Sequence, residues 1–205
     1  MTGPGKPAAR TRLLRRIHRS SAMVLGGFVL LHLGNHVAGF AGQDVHRSVQ
    51  LALRWLYRGW PEPVLLAACA IQIATGLRLI WLRRSIAWSS ALQPLSGAYL
   101  AAFLAIHVFA VLQARLGGID TDLAFAAAGL HAGAWKFFFA PYYGLAVLAF
   151  GMHLSVPLGR RNPGMARMLV LASTGLALGL VTLLAGWITP LEIPAELIRA
   201  HGRTP

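Results

Sequence analysis

Charge is the first thing this 205-residue sequence has little of: Asp, Glu, Lys and Arg make up 12% of it, about half the share of an ordinary globular chain. That deficit argues against a soluble domain. Acidic residues are scarcer still, six against 19 Lys and Arg, leaving a formal net charge of +13. Cysteine occurs once, at Cys69. Disulfide frameworks, thiolate metal sites and iron–sulfur ligation by this chain each need at least two sulfurs and are excluded. There is no dinucleotide-binding glycine fingerprint and no internal repeat. What is abundant is hydrocarbon: 56% of the residues are hydrophobic and the mean hydropathy is +0.58, so the solvent the sequence expects is a bilayer.

Five apolar segments are long enough to span, at about residues 22–40, 63–82, 95–115, 139–158 and 168–188. Cytoplasmic connections collect Lys and Arg, which fixes the expected orientation. With the N-terminus inside, the inner connections hold Lys6, Arg10, Arg12, Arg15, Arg16, Arg19, Arg78, Arg83, Arg84, Arg160, Arg161 and Arg167, twelve of the 19 cations. All six acids (Asp44, Glu62, Asp120, Asp122, Glu192 and Glu196) fall outside, with Arg47, Arg54, Arg58, Arg115, Lys136, Arg199 and Arg203. Four or six spans would break this partition. The expected architecture is therefore an all-α integral membrane bundle of five helices, N-terminus inside and C-terminus outside. It comprises a basic arm (1–21), a membrane domain (22–188) and an outer tail (189–205). The first apolar run lacks a small-residue cleavage site and reads as a retained span. The cations are divided among short connections, which argues against nucleic-acid binding.

Between the first two spans, Val45, Val49, Leu53, Leu56 and Trp60 recur at helical spacing with Arg47, Arg54 and Arg58 on the other side. This predicts a short helix in the outer interface, with Trp55, Tyr57 and Trp60 at headgroup level, or an amphipathic cap on the bundle. Residues 119–134 are small and apolar, and Asp120, Thr121 or Asp122 is available to cap a helix there.

Within the spans, ionisable groups are almost confined to His32 and His36 on the first, His107 on the third and His153 on the fourth. Polar side chains at membrane depth are costly without a partner, and imidazole is the common axial ligand of haem iron. His32 and His107 each lie ten residues from the inner end of their span, about 15 Å deep at 1.5 Å per residue, so both can face one iron. The alternative role for any one of them is an interhelical hydrogen bond. His36, one turn above His32, is an alternative ligand or a donor to a haem propionate. His18, His46, His131 and His201 fall in polar ends or loops, where a solvated imidazole is expected.

Three stretches carry a family resemblance: Arg15-Arg16-Ile17-His18 with His32-Leu33 fourteen residues on; Leu92-Gln93-Pro94-Leu95-Ser96-Gly97 with His107-Val108 ten residues on; and Val147-Leu148 through His153-Leu154-Ser155. Over most of residues 12–188 the chain resembles the five-helix cytochrome b membrane anchor of the succinate dehydrogenase/fumarate reductase family. The resemblance implies that His32 and His107 hold an outer haem b and that His153 supplies one ligand of an inner haem. The inner haem's second ligand would come from the second span, but that span has no histidine and Gln72 stands at the position. One well-ligated haem b is expected, and a second only if His153 works with an unconventional or absent partner. Arg78 is then a candidate for a propionate or a quinone oxygen, besides anchoring at the interface. Ser96 is a candidate quinone donor, besides a helix-start or packing residue. Gly26, Gly27 and Gly97 would admit a flat macrocycle or merely close helix packing.

The implied function is the quinone-reacting anchor of a complex in the inner (cytoplasmic) membrane whose flavoprotein and iron–sulfur subunits dock on the basic inner face. Two other readings stand beside it: a non-redox membrane protein with structural histidines, and a stand-alone haem protein acting as redox sensor or quinone reductase.

Overall fold

The structure is a computed structural model that describes residues 6–83 and 91–202; side chains are described for 9–83 and 91–200. Arg84 and Arg203 of the charge tally lie outside the described residues, as do the side chains of Lys6 and His201. The chain is helical, with no strand among the described residues.

Helix α1 runs from Lys6 to Ala38 as one 33-residue element. The expected boundary at residue 22 is absent, so the basic arm and the first span form a single helix. The reason is local: after Pro7, which suits a helix start, residues 8–25 contain no glycine or proline and are rich in Ala, Arg and Leu. At about 1.5 Å per residue α1 reaches about 50 Å, well beyond the hydrocarbon thickness. It passes into a 3-10 turn at Gly39–Ala41, and Gly42 at φ 130°, a conformation open to glycine, redirects the chain. Helix α2 (Gln43–Leu53) follows, then α3 (Pro61–Trp81) and α4 (Leu92–Leu116). Next come α5 (Leu123–His131), α6 (Lys136–Gly159), α7 (Pro163–Leu184) and α8 (Ala195–Gly202).

Five of these, α1, α3, α4, α6 and α7, are long and apolar enough to cross a membrane, which makes this a multi-pass membrane protein. The fifth begins at Pro163, five residues before the hydropathy reading places it. Asn162 caps it by accepting from the Met165 amide at 3.0 Å, and Pro163 fills the first helical position. Helix α6 begins at Lys136, three residues before the 139 read from hydropathy, so Pro141 lies inside it; Pro157 stands two residues before the end. Asp122 caps α5 as expected, accepting from Phe125 N at 3.0 Å.

The spans pack α1 on α3, α3 on α4, α4 on α6 and α6 on α7. The last contact is the tightest because small residues line it. A Cβ placed on Gly151 would overlap the Ser173 side chain, and Ser155, Ala166 and Ala177 are buried nearby. Successive spans alternate in direction, so every described cation assigned to the inner connections lies at one end and the acids at the other. At the acidic end Arg47 meets Asp120 at 2.8 Å and Arg115 meets Glu62 at 2.9 Å, while Gln43 bonds the Glu192 backbone at 2.9 and 3.2 Å. The exposed Arg47 pair holds its guanidinium even higher than usual, yet such a pair contributes little stability.

Helix α2 departs from its expected stripe. Val49 and Leu53 are half-buried, but Val45 and Trp60 are exposed, and the residue most deeply buried is His46, at 2% exposure. Trp55 is also exposed. Helices α1 and α6 are not closely packed against each other, and the space between the spans remains open.

Candidate functional site: histidines around the central cavity

That space is a cavity of about 1020 Å³, reaching from Arg15 and His18 at the arginine-rich end to His46 and Asp122 at the acidic end. Pockets for a single drug-sized ligand run to roughly 300–1,000 Å³, so this one has room for a large flat molecule or for two.

His32 of α1 and His107 of α4 come together in the acidic half, with ring centroids 6.0 Å apart and planes inclined by 63°. Two imidazoles on opposite sides of a metal, each bonded at about 2 Å, put their centroids about 6 Å apart. Phe28, one turn before His32, stacks on it at 5.7 Å, and Phe103 stacks on His107 at 5.2 Å, which fixes both rotamers. Neither ring forms a hydrogen bond to any described residue. Gly26 lines the same space, and a Cβ there would meet nothing within 4 Å. The residues present fit a bis-imidazole porphyrin iron. Gly27, by contrast, faces outward and takes no part.

Beside this pair lies a polar group that sequence reasoning missed. His36 packs edge-on against His32 at 4.7 Å and lies 5.4 Å from His46, and Asn35 Nδ2 is 3.1 Å from His46 Nε2. Asn35 Oδ1, His36 Nδ1 and His46 Nδ1 are buried without a hydrogen-bond partner among the described residues. His46 is not the solvated imidazole its loop position suggests. It is drawn in because α2 turns back over the cavity mouth. Burial lowers its proton affinity below that of a free imidazole, opposed in part by Asp122. A group depressed in the folded state stabilises it above the unfolded value of about 6.5 and loses that contribution as pH falls through the folded value. Thermal stability in detergent is therefore expected to drop on acidification from about pH 7.5 to about pH 5.5, and to drop less in His46→Gln.

At the arginine-rich end the cavity is lined by His18 and His153. His153 Nδ1 is 3.1 Å from the Gln93 carbonyl and 3.4 Å from Ser96 Oγ, and its ring rests on Gly97, whose added Cβ would come within 3.0 Å of it. Ser96 itself is buried and donates to the Leu92 carbonyl at 2.6 Å, so its hydroxyl is committed to its own helix. His18, expected to be solvated, is half-buried. Its Nδ1 lies 2.9 Å from Thr75 Oγ1, its Nε2 3.2 Å from the Gln72 amide, and its ring rests on Gly76. The signal that finds it is the spacing to His32: fourteen residues is close to four turns, so both rings leave nearly the same face once the helix is continuous. Arg78 does not line the cavity. Its guanidinium lies over the exposed Trp81 ring at 4.1 Å, which suits the anchoring role. His131 bonds the Leu184 carbonyl at 3.0 Å.

No group of three or more His, Cys, Asp or Glu suited to a metal ion occurs among the described residues. Compared with protein-family models, curated proteins and solved structures, the chain matches none.

Proposed function

We propose that the protein is a haem-b-binding membrane electron carrier, with His32 and His107 as axial ligands. In this reading it is the quinone-reacting anchor of a complex resembling succinate dehydrogenase or fumarate reductase. The observation that carries the reading is this pair: two imidazoles on different spans, at the separation two axial ligands need, with no hydrogen bond to any described residue. A polar ring at membrane depth is costly without a partner, and the nitrogens of these two remain open to a ligand.

Bound haem supplies a one-electron centre in the membrane interior. The chain's own residues do the rest. Phe28 and Phe103 hold the ligand rings in orientation, and the apolar walls exclude water from them. Asn35, His36 and His46 offer hydrogen-bonding atoms at the cavity's acidic end for propionates or a quinone oxygen. The spans contain no Asp or Glu in their middle, so proton transfer through the bundle has no carboxylate relay. The arginine-rich end faces the cytoplasm and presents Arg10, Arg12, Arg16 and Arg161, all exposed, to a soluble flavin and iron–sulfur partner. The opposite end, with α2 and the exposed Trp55 and Trp60 that follow it, lies in the outer interface.

The test is an absorption spectrum of the protein purified from membranes. A Soret band and an α band that appears on dithionite reduction, and again on adding a quinol, are expected; protein without a Soret band overturns the proposal. Copurification with flavin and iron–sulfur subunits separates an anchor from a haem protein that works alone.

A further inference from the structure

The geometry points to a second porphyrin-iron site at the arginine-rich end, in which His18 of α1 supplies the ligand that the second span lacks and His153 of α6 supplies the other. It rests on the proposed haem-binding reading and goes beyond it by naming the missing ligand and its helix.

The first argument is the protonation state that the hydrogen bonds impose. A carbonyl only accepts, so His153 Nδ1 carries the proton it donates to Gln93 at 3.1 Å, leaving Nε2 with a bare lone pair. Thr75 Oγ1 gives its own proton to the Ile71 carbonyl at 2.6 Å, so His18 Nδ1 donates to that oxygen at 2.9 Å and His18 Nε2 is likewise bare. The Gln72 amide donating to that Nε2 at 3.2 Å fits the same tautomer. A ring anchored through Nδ1–H to a fixed oxygen, with Nε2 unprotonated, is how metal-ligating histidines are held.

The second argument is placement. Both rings line the cavity, from the two helices that leave the bundle open between them. Each leans on a glycine of the neighbouring span, Gly76 or Gly97, where any side chain would push it away. His18 and His32 differ by fourteen residues, about 21 Å of rise and about 40° of rotation, so α1 can serve two separate centres from one face. Arg15, Arg19 and Arg160 line the cavity at this end and suit the carboxylates of a porphyrin. Gln72 then has a role: it occupies the second-span position and steadies His18, with Ser21 Oγ bonding its other end at 2.6 Å. On ligation its amide gives way to the iron at Nε2.

The experiment is the haem-to-protein ratio of the purified full-length chain, with low-temperature EPR as a second readout. About two haems per chain are expected. His18→Ala and His153→Ala should each lower the ratio to about one and leave the His32/His107 signal in place. Because an emptied position can also disturb folding, His18→Gly is measured with and without added imidazole, and restoration of a low-spin signal by imidazole supports direct ligation. A ratio of one that His18→Ala does not change overturns this inference alone, as does a ratio of two that survives it. A ratio of zero in the unaltered protein overturns the proposed function and this inference together.

Discussion

Alanine at position 107 is expected to empty the haem site in the acidic half of the cavity, lowering affinity there by more than about a hundredfold, the upper range for losing a mere outer-shell contact. The size of the effect follows from the absence of a substitute. His36 is the nearest spare imidazole, but it sits on the same helix as His32 and packs edge-on against it, so it cannot approach from the α4 side. Truncation also strands Phe103, which stacks on the ring at 5.2 Å and lies tilted against Tyr142 at 4.7 Å. His107→Met, which restores a ligand atom, should recover part of the haem content with a shifted potential, whereas a packing role would not distinguish a thioether from leucine. Full haem content in His107→Ala contradicts the assignment.

The second large effect concerns the fold. Gly151→Leu is expected to abolish recovery of folded protein, because α6 and α7 touch where even a Cβ would overlap Ser173. Overpacking a tight interface costs about 1–3 kcal/mol for a modest insertion, and here the added atoms also meet the adjacent α7 backbone, with the Leu169 carbonyl 3.5 Å from the first of them. Gly151→Ala should lower the thermal midpoint in detergent, and Ser173→Gly combined with it should restore most of the loss. That pairwise recovery marks direct contact, since independent sites would add.

Most of the scaffold is legible from hydropathy and charge: five spans, their alternation, and the separation of arginine from carboxylate between the two ends. The depth argument also brings His32 and His107 to one level, and they do come together. What hydropathy hides is helix continuity. Residues 6–21 are too polar to look like part of a span, yet their backbone preference is helical, and the span runs straight through them. Treating them as an arm made His18 a solvated residue and left His153 without an evident partner. His46 escaped for a related reason. The stripe on α2 identifies an amphipathic helix but not which residue folds inward, and here His46 lines the cavity. Between the two roles open to Arg78 the sequence could not choose, because position along a helix gives depth and not direction: its guanidinium lies over Trp81.

The central claim, that His32 and His107 bind one iron between them, is tested most directly by low-temperature EPR of the oxidised protein before and after His32→Ala. The account predicts a low-spin ferric signal of two-imidazole type that is lost from this site in the variant. A site that is already high-spin in the unaltered protein, or a low-spin signal unchanged by the substitution, would contradict it.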